Sequence, residues 1–250
     1  MDTLFIGKTL HEFDALPSTN QFAYDLLSEE RPAEGTVIMT HDQYAGKGQA
    51  TNKWESEPHK NLTFTTILYP KFLGARKQFL LNQVVSLSVF DTLSKHVTEG
   101  LKIKWPNDLY VFDKKITGIL MQNSLKGSVL QSSVIGVGIN VNQKQFVSDA
   151  PNPTSLVLET GKLINVKTLL SEFCQQLEKN YLQLKAGQSA TIQQRYLNTL
   201  YQYNQNAHYQ RKDQSIFKGK IIGVTDTGKL KIKTSTGIEE FFFKEVKYLR

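Results

Sequence analysis

A chain of 250 residues with 40% hydrophobic and 21% charged residues has apolar material for one substantial core and a small satellite domain, which excludes a disordered chain. No apolar run approaches the roughly 20 residues of a membrane helix, Met1–His11 lacks a basic region followed by an apolar stretch, and Cys174 has no second cysteine for a disulfide or a thiolate zinc site, so a cytoplasmic protein without membrane contact is expected. The formal net charge of +7 points to an anionic partner, whether nucleic acid, nucleotide or acidic protein, and does not choose among them.

Ser18, with Gln21 three residues on, reads as a capping box that opens a helix over Thr19–Ser28. Gly35 leads into Thr36–Thr40, a β-branched run expected to be a buried strand. A polar, glycine-containing loop over His41–Lys60 follows, then a strand over Asn61–Tyr69 that Pro70 and Gly74 end. Gln78–Val97 is the clearest helix, because Phe79, Leu80, Val84, Leu87, Phe90, Leu93 and Val97 recur at helical spacing. Leu101, Ile103 and Trp105 alternate with Lys102 and Lys104, which predicts a short strand with a lysine face. Leu109–Phe112 and Lys115–Asn123 form a predicted hairpin turning at Asp113-Lys114, and Val129–Val141 a long strand. A Pro/Asn-rich loop, Asp149–Thr154, precedes helices over Val166–Lys185 and Thr191–Leu200. Beyond about Tyr203 short β-rich runs (Ala207–Gln210, Ile216–Ile222, Lys229–Lys233 and Glu239–Phe243) alternate with turn signals and predict a small SH3-like barrel. The expected domains are residues 1–203 and 204–250 of an α+β protein.

Three segments carry chemistry. In Gln43–Trp54, Gly46 and Gly48 flank Lys47, and two residues without Cβ atoms let backbone N–H groups approach an anion. The order is wrong for a phosphate-binding GxxxxGK[ST] loop, and alone the segment reads as a tight turn. In Lys104-Trp-Pro-Asn-Asp108, Asn107 and Asp108 either cap a turn or, for Asp108, supply an oxygen to Mg²⁺. Lys115 is either a solvated edge residue or a charge aimed into a cleft. In Ile135–Val141, Gly136 and Gly138 permit close packing or make room for a flat ligand, with Asn140 beside it.

Taken together and in order, Ser18-Thr-Asn20, Gln43 with Gly46-Lys-Gly48 and Trp54, Lys104–Asp108, Lys115 with Gly118-Ile-Leu120, and Gly136–Asn140 resemble the signature set of biotin protein ligases. The tail, from Gly223–Gly228 to Glu245–Arg250, is similar to that family's C-terminal domain, so the resemblance spans nearly the whole chain. It implies a mixed-sheet catalytic domain flanked by helices, similar to class II synthetases, with ATP and biotin as substrates and Mg²⁺ as companion ion. It further implies that Ser18, Thr19, Asn20, Gln43, Lys47, Gly48, Gln49 and Lys115 hold biotin, that Gly46, Trp54, Lys104, Asn107, Asp108 and Asn140 hold the nucleotide, and that Lys115 and Lys47 are catalytic. Asp108 is the candidate metal ligand. Lys47 and Gln49 stand where the family loop commonly has arginines; glutamine loses the charge and lysine the bidentate fork, so a looser grip on phosphate is expected here. The acceptor implied is the biotin carboxyl carrier protein, and a homodimer is left open. Because the motif begins at Ser18, with no room before it for a helix-turn-helix module, specific DNA binding is not expected. Two rival readings stand: a lipoate or octanoate protein ligase or transferase, and a non-catalytic basic nucleic-acid-binding module.

Overall fold

The computed structural model describes residues 1–49, 52–147 and 152–249. Strand β1 (Leu10–Leu16) runs parallel to β2 (Val37–Gln43), with helix α1 (Thr19–Glu29) crossing between them. The α1 start is the expected one: the Ser18 side chain accepts from the Gln21 N–H at 3.4 Å, satisfying one of the donors a helix leaves open. The capping box is only half made, since the Gln21 side chain donates to Asp25 instead. From β2 the sheet continues antiparallel through β3 (Leu62–Leu68), and its seven strands lie in the order β1-β2-β3-β7-β6-β5-β4, where β4 is Leu101–Lys104, β5 Asp108–Val111, β6 Lys114–Lys126 and β7 Val129–Ile139. Asp113 is thus in the hairpin turn as expected, while Lys114 already belongs to β6.

Every residue of β3 is buried, because helices cover both faces. Leu62, Phe64 and Leu68 join the main core below the sheet, where the Phe64 ring meets Phe173 edge-on at 4.8 Å. Ile67 packs on the other face with Ala23 of α1. Thr63 and Thr65 share that second face by strand alternation. Helix α2 (Phe79–Leu93) is central to the main core and ends four residues before the expected Val97. Its buried Ser88 and Thr92 hydroxyls donate to carbonyls one turn back, at 2.7 Å each, so α2 can be surrounded by apolar neighbours without orphaned hydroxyls. Helices α3 (Leu156–Thr160), α4 (Val166–Lys185) and α5 (Ser189–Thr199) complete the layer.

The last five strands are β8 (Asn206–Arg211), β9 (Ile216–Val224), β10 (Leu230–Lys233), β11 (Ile238–Phe241) and β12 (Val246–Tyr248), in the order β11-β10-β9-β8-β12. The expected barrel is not closed among the described residues: the outer strands β11 and β12 pair with β10 and β8 and not with each other. This sheet is joined to the rest by shared core, as Tyr209, Ile221, Leu230 and Ile232 belong to the same buried cluster as α2 and α4. The Trp105 indole N–H donates to the Gly228 carbonyl at 3.0 Å, and the Lys104 ammonium lies 4.6 Å from the Tyr110 ring and 5.1 Å from that of Tyr248.

One side chain satisfies three backbone donors of the N-terminal segment. Glu178 of α4 accepts the N–H groups of Leu4, Phe5 and Ile6 at 2.7, 2.8 and 3.1 Å. Burial pushes its pKa up, yet the three N–H groups outweigh that and leave it below the usual carboxylate value. A depressed folded-state pKa stabilises the fold above the unfolded value and loses that contribution as pH falls through the folded one. Glu178→Gln is therefore expected to cost about 1.5–3 kcal/mol at neutral pH, as for hydrogen bonds to a charged group, with the gap to wild type narrowing in acid below about pH 4. Urea unfolding at pH 7 and at pH 3 measures both; a gap that widens in acid contradicts the assignment.

Candidate active site

The residues of the three motif segments meet on one face of the large sheet. The strand register sets consecutive rungs there. Thr65 lies opposite Gly136, which lies opposite Leu120; two residues along, Thr63 lies opposite Gly138, which lies opposite Gly118. Glycine at 136 and 138 lets side chains from other elements lie flat on the sheet. A Cβ at Gly136 would overlap the Asn20 amide. One at Gly138 would come within 2.5 Å of the Trp54 indole nitrogen, and one at Gly118 within 2.9 Å of the same ring. The flat group that the glycines were expected to admit beside β7 is thus, at Gly138, the protein's own Trp54.

The first rung carries a buried hydrogen-bond network. Gln43, at the end of β2, accepts the Thr19 N–H at 2.9 Å through Oε1. Thr65 Oγ1 lies 2.6 Å from Asn20 Oδ1 and 2.8 Å from Thr19 Oγ1, and Asn20 Nδ2 donates to the Leu120 carbonyl at 3.3 Å. The second rung carries unpaired polar atoms: Trp54 Nε1, Thr63 Oγ1 and Asn140 Oδ1 are buried without a hydrogen-bond partner among the described residues. Each such atom costs about 1–3 kcal/mol unless something satisfies it, so their convergence on one cleft marks a place for a polar ligand. Asn140 is held for that role by its Nδ2, which donates to the Thr154 carbonyl at 2.9 Å.

Lys115 stands at the end of this slot. Its N–H donates to the Asn152 carbonyl and its carbonyl accepts from the Thr154 N–H, both at 2.8 Å, so its backbone is clamped on both sides. Its ammonium is 2.6 Å from Asp108 Oδ2. The pair is partly exposed, and the carboxylate anchors the lysine ammonium at this end of the cleft.

Residues 46–49 pair with residues 52–54 as a small hairpin over the cleft, with Lys47 bridged to Lys53, the Gly48 N–H on the Asn52 carbonyl at 2.7 Å and the Trp54 N–H on the Gly46 carbonyl at 3.0 Å. Residues 50 and 51 lie outside the described residues, as do Asp149, Ala150 and Pro151 of the expected Asp149–Thr154 loop. Glu55 ties the hairpin to the segment across the cleft, accepting from Gln143 Nε2 and the Val147 N–H at 3.0 Å each.

Residues from all of these segments surround one cavity of about 780 Å³, in the range of small-molecule and cofactor sites. Ser18, Thr19, Asn20, Gln43, Lys47, Gly48, Gln49, Trp54, Asn107, Asp108, Lys115 and Asn140 all line it, as the sequence predicts. Two expected residues do not. Lys104 turns its ammonium onto the Tyr110 and Tyr248 rings and serves the contact with the small sheet. Gly46 sits behind the wall, where its missing Cβ admits the Trp54 carbonyl and the Gln43 amide. Asn107 reaches the cleft although its Nδ2 is bonded to the Ile119 carbonyl at 3.4 Å. Asp108, the expected metal ligand, gives Oδ2 to Lys115, and the described residues hold no group of three or more His, Cys, Asp or Glu able to bind a metal. Sequence reasoning missed Thr63 and Phe243 in the lining, and Thr65 behind it; of Lys53 and Lys104, the two lysines that could make up for the charge absent at Gln49, only Lys53 lines the cavity. Alternation along β3 was the signal for the threonines. Nothing local marks Phe243, which reaches the cleft from beyond β11.

Fold and cleft together define an α+β unit with one polar cavity, which has the Thr19–Asn20–Gln43 network at one end, the Trp54 ring over Gly118 and Gly138, and the Lys115 ammonium beside Asp108. Comparison with known proteins agrees. The chain is 26% identical to a biotin protein ligase from Aquifex aeolicus solved in complex with biotin and ATP, with a TM-score of 0.80 over 97% of this chain and 99% of that one. It is 27% identical to the bifunctional ligase/repressor BirA of Bacillus subtilis, covering 98% of this chain and 76% of that protein. Over 139 residues it is 30% identical to the biotin–[acetyl-CoA-carboxylase] ligase of Paracoccus denitrificans, 53% of this chain and 57% of that one. The biotin/lipoate A/B protein ligase family matches residues 12–140, more than half of the chain, and the chain belongs to that family.

Proposed function

We propose that this chain is an ATP-dependent biotin protein ligase, acting in the cytoplasm on a lysine of a biotin carboxyl carrier protein. The observation that carries this reading is the shared cavity. Lys115 and Gly48, from segments far apart in sequence, line it together with the Thr19–Asn20–Gln43 network and Trp54. The network also favours biotin over the lipoyl or octanoyl groups handled elsewhere in the family. A cyclic urea satisfies buried donors and acceptors, whereas a dithiolane or alkyl chain strands them at about 1–3 kcal/mol each.

In the first step a biotin carboxylate oxygen attacks the α-phosphorus of MgATP, the bond to the β-phosphate breaks, and pyrophosphate leaves. In the second a neutral carrier lysine attacks the anhydride carbonyl, its C–O bond to AMP breaks, and the amine proton passes to solvent. The mixed anhydride is already an activated acyl group, so no nucleophilic side chain is required. The protein positions and neutralises: Lys115 stabilises charge on the α-phosphate and the biotin carboxylate, Lys47 and Lys53 add charge at the mouth, and the hairpin excludes water. Mg²⁺ enters with the nucleotide, held mainly by its phosphates, as is usual for this ion. The biotin half of the cleft is the Gly136 rung and the nucleotide half the Gly138 rung. We assign residues 1–203 to catalysis and 204–250 to a supporting domain.

Gly136→Ala is expected to raise the KM for biotin, and Gly138→Ala the KM for ATP, each by roughly tenfold, the loss of about one hydrogen bond or stacking contact. Steady-state kinetics varying each substrate checks the division; equal effects on both KM values in both variants contradict it. Transfer of labelled biotin to a carrier domain, with lipoate and octanoate as competitors, tests the function itself. Incorporation blocked by neither acid supports the proposal, and labelled lipoate incorporated in place of biotin overturns it.

A further inference from the structure

Thr65 is fully buried on β3 and touches two of the groups assigned to the biotin ring. Its hydroxyl has one proton and two oxygen neighbours, Asn20 Oδ1 at 2.6 Å and Thr19 Oγ1 at 2.8 Å. Asn20 Oδ1 is an acceptor only, because the Nδ2 end of that amide is committed to the Leu120 carbonyl. A 2.6 Å contact between two oxygens needs a proton between them, and only Thr65 can supply it. The Thr19 hydroxyl must then donate inward, to Thr65 at 2.8 Å or to Gln43 Oε1 at 3.2 Å. Either way its proton is used within the network. What remains for a ligand is fixed in kind: a lone pair on Thr19 Oγ1 and the second N–H of Asn20.

Resting on the reading of the site as a biotin site, we propose that Thr65 is a positioning residue that sets the proton direction of this network. Through Thr19 and Asn20 it makes the site select a ring presenting one N–H donor and one C=O acceptor side by side. A cyclic urea has that pattern. A cyclic guanidine, in which the carbonyl is replaced by a C–N donor, does not. Gly136 is the other half of the device, since only without a Cβ there can the Asn20 amide lie against the sheet in reach of Thr65.

The test compares wild type with Thr65→Val, which keeps the shape and removes the proton, and with Thr65→Ser, which keeps the proton. Pyrophosphate release is measured with biotin and with 2-iminobiotin, its cyclic guanidine analogue, while ATP is varied separately. The valine variant is expected to raise the biotin KM by roughly 10–100-fold, the equivalent of one to two tenfold steps, with the ATP KM and the turnover at saturating biotin changed less than about threefold. Its preference for biotin over 2-iminobiotin is expected to shrink by about tenfold or more on the same scale, because Asn20 Oδ1 then has no donor from Thr65 and only the 3.3 Å bond to the Leu120 carbonyl opposes a turn of the amide that offers its oxygen to the ligand. The serine variant is expected to keep the wild-type preference. A merely structural threonine would alter stability or both KM values and leave the preference intact, and that result overturns the proposal. If the valine variant does not fold, Thr65→Ala against Thr65→Ser carries the same comparison, and equal preferences in the two overturn it. A wild type that releases no pyrophosphate with biotin rejects the reading of the site, and this proposal with it; an active wild type with an unaltered valine variant rejects Thr65 alone.

Discussion

Lys115→Ala is expected to lower the rate of biotin adenylation by roughly a hundredfold to a thousandfold, about 2.7–4 kcal/mol, the worth of one preorganised electrostatic donor at a developing charge. The size follows from how the lysine is held. Its backbone is clamped by Asn152 and Thr154, and its ammonium is seated on Asp108 before any substrate arrives. Little reorganisation is then needed when charge builds on the α-phosphate. On the proposed reading more of the charge stabilisation falls to that lysine, because Gln49 brings no charge to the hairpin. Single-turnover formation of the adenylate measures the step; a variant within about threefold of wild type, under 1 kcal/mol, would remove Lys115 from the chemistry.

Trp54→Ala is expected to weaken ATP more than biotin, by roughly 5–150-fold in the nucleotide KM, since stacking an aromatic face on a base is worth about 1–3 kcal/mol. The indole is braced by Gly118 and Gly138 beneath it, so it offers a rigid platform to adenine with little entropy left to lose. Its Nε1, buried and without a hydrogen-bond partner among the described residues, is left to donate to an acceptor on the ligand. Phenylalanine at the position should recover stacking and not the hydrogen bond, and so fall between tryptophan and alanine. Kinetics with each substrate varied in turn decide the matter, and a larger effect on biotin than on ATP would move Trp54 into the other half of the cleft.

Much of this site is legible in the sequence because its parts sit at element boundaries with local signals. Ser18 caps α1, which brings Thr19 and Asn20 to the sheet; Gly118 and Gly138 thin the floor of the cleft; Lys115 is the second residue of β6, beside the turn. What the sequence hides is decided by contacts across elements. Lys104 alternates correctly in β4, yet its direction is set by Tyr248 from the far end of the chain. Gly46 looks like an anion loop and is a packing position against Trp54 and Gln43. Strand β1 goes unread because an edge strand such as Leu10–Leu16, with most residues exposed, carries little apolar periodicity. The open C-terminal sheet has strands of barrel length, but closure depends on whether β11 and β12 meet, and no turn residue encodes that.

Both large effects, and the reading of the network above Thr65, depend on one claim: the cavity joins an acid and a nucleotide and activates the acid. The direct measurement is pyrophosphate release from MgATP by the purified chain, with and without biotin and with no acceptor protein present. Release that depends on biotin, and is lost in the Lys115→Ala variant, is the result predicted. Release independent of biotin, or none with biotin saturating, would contradict it.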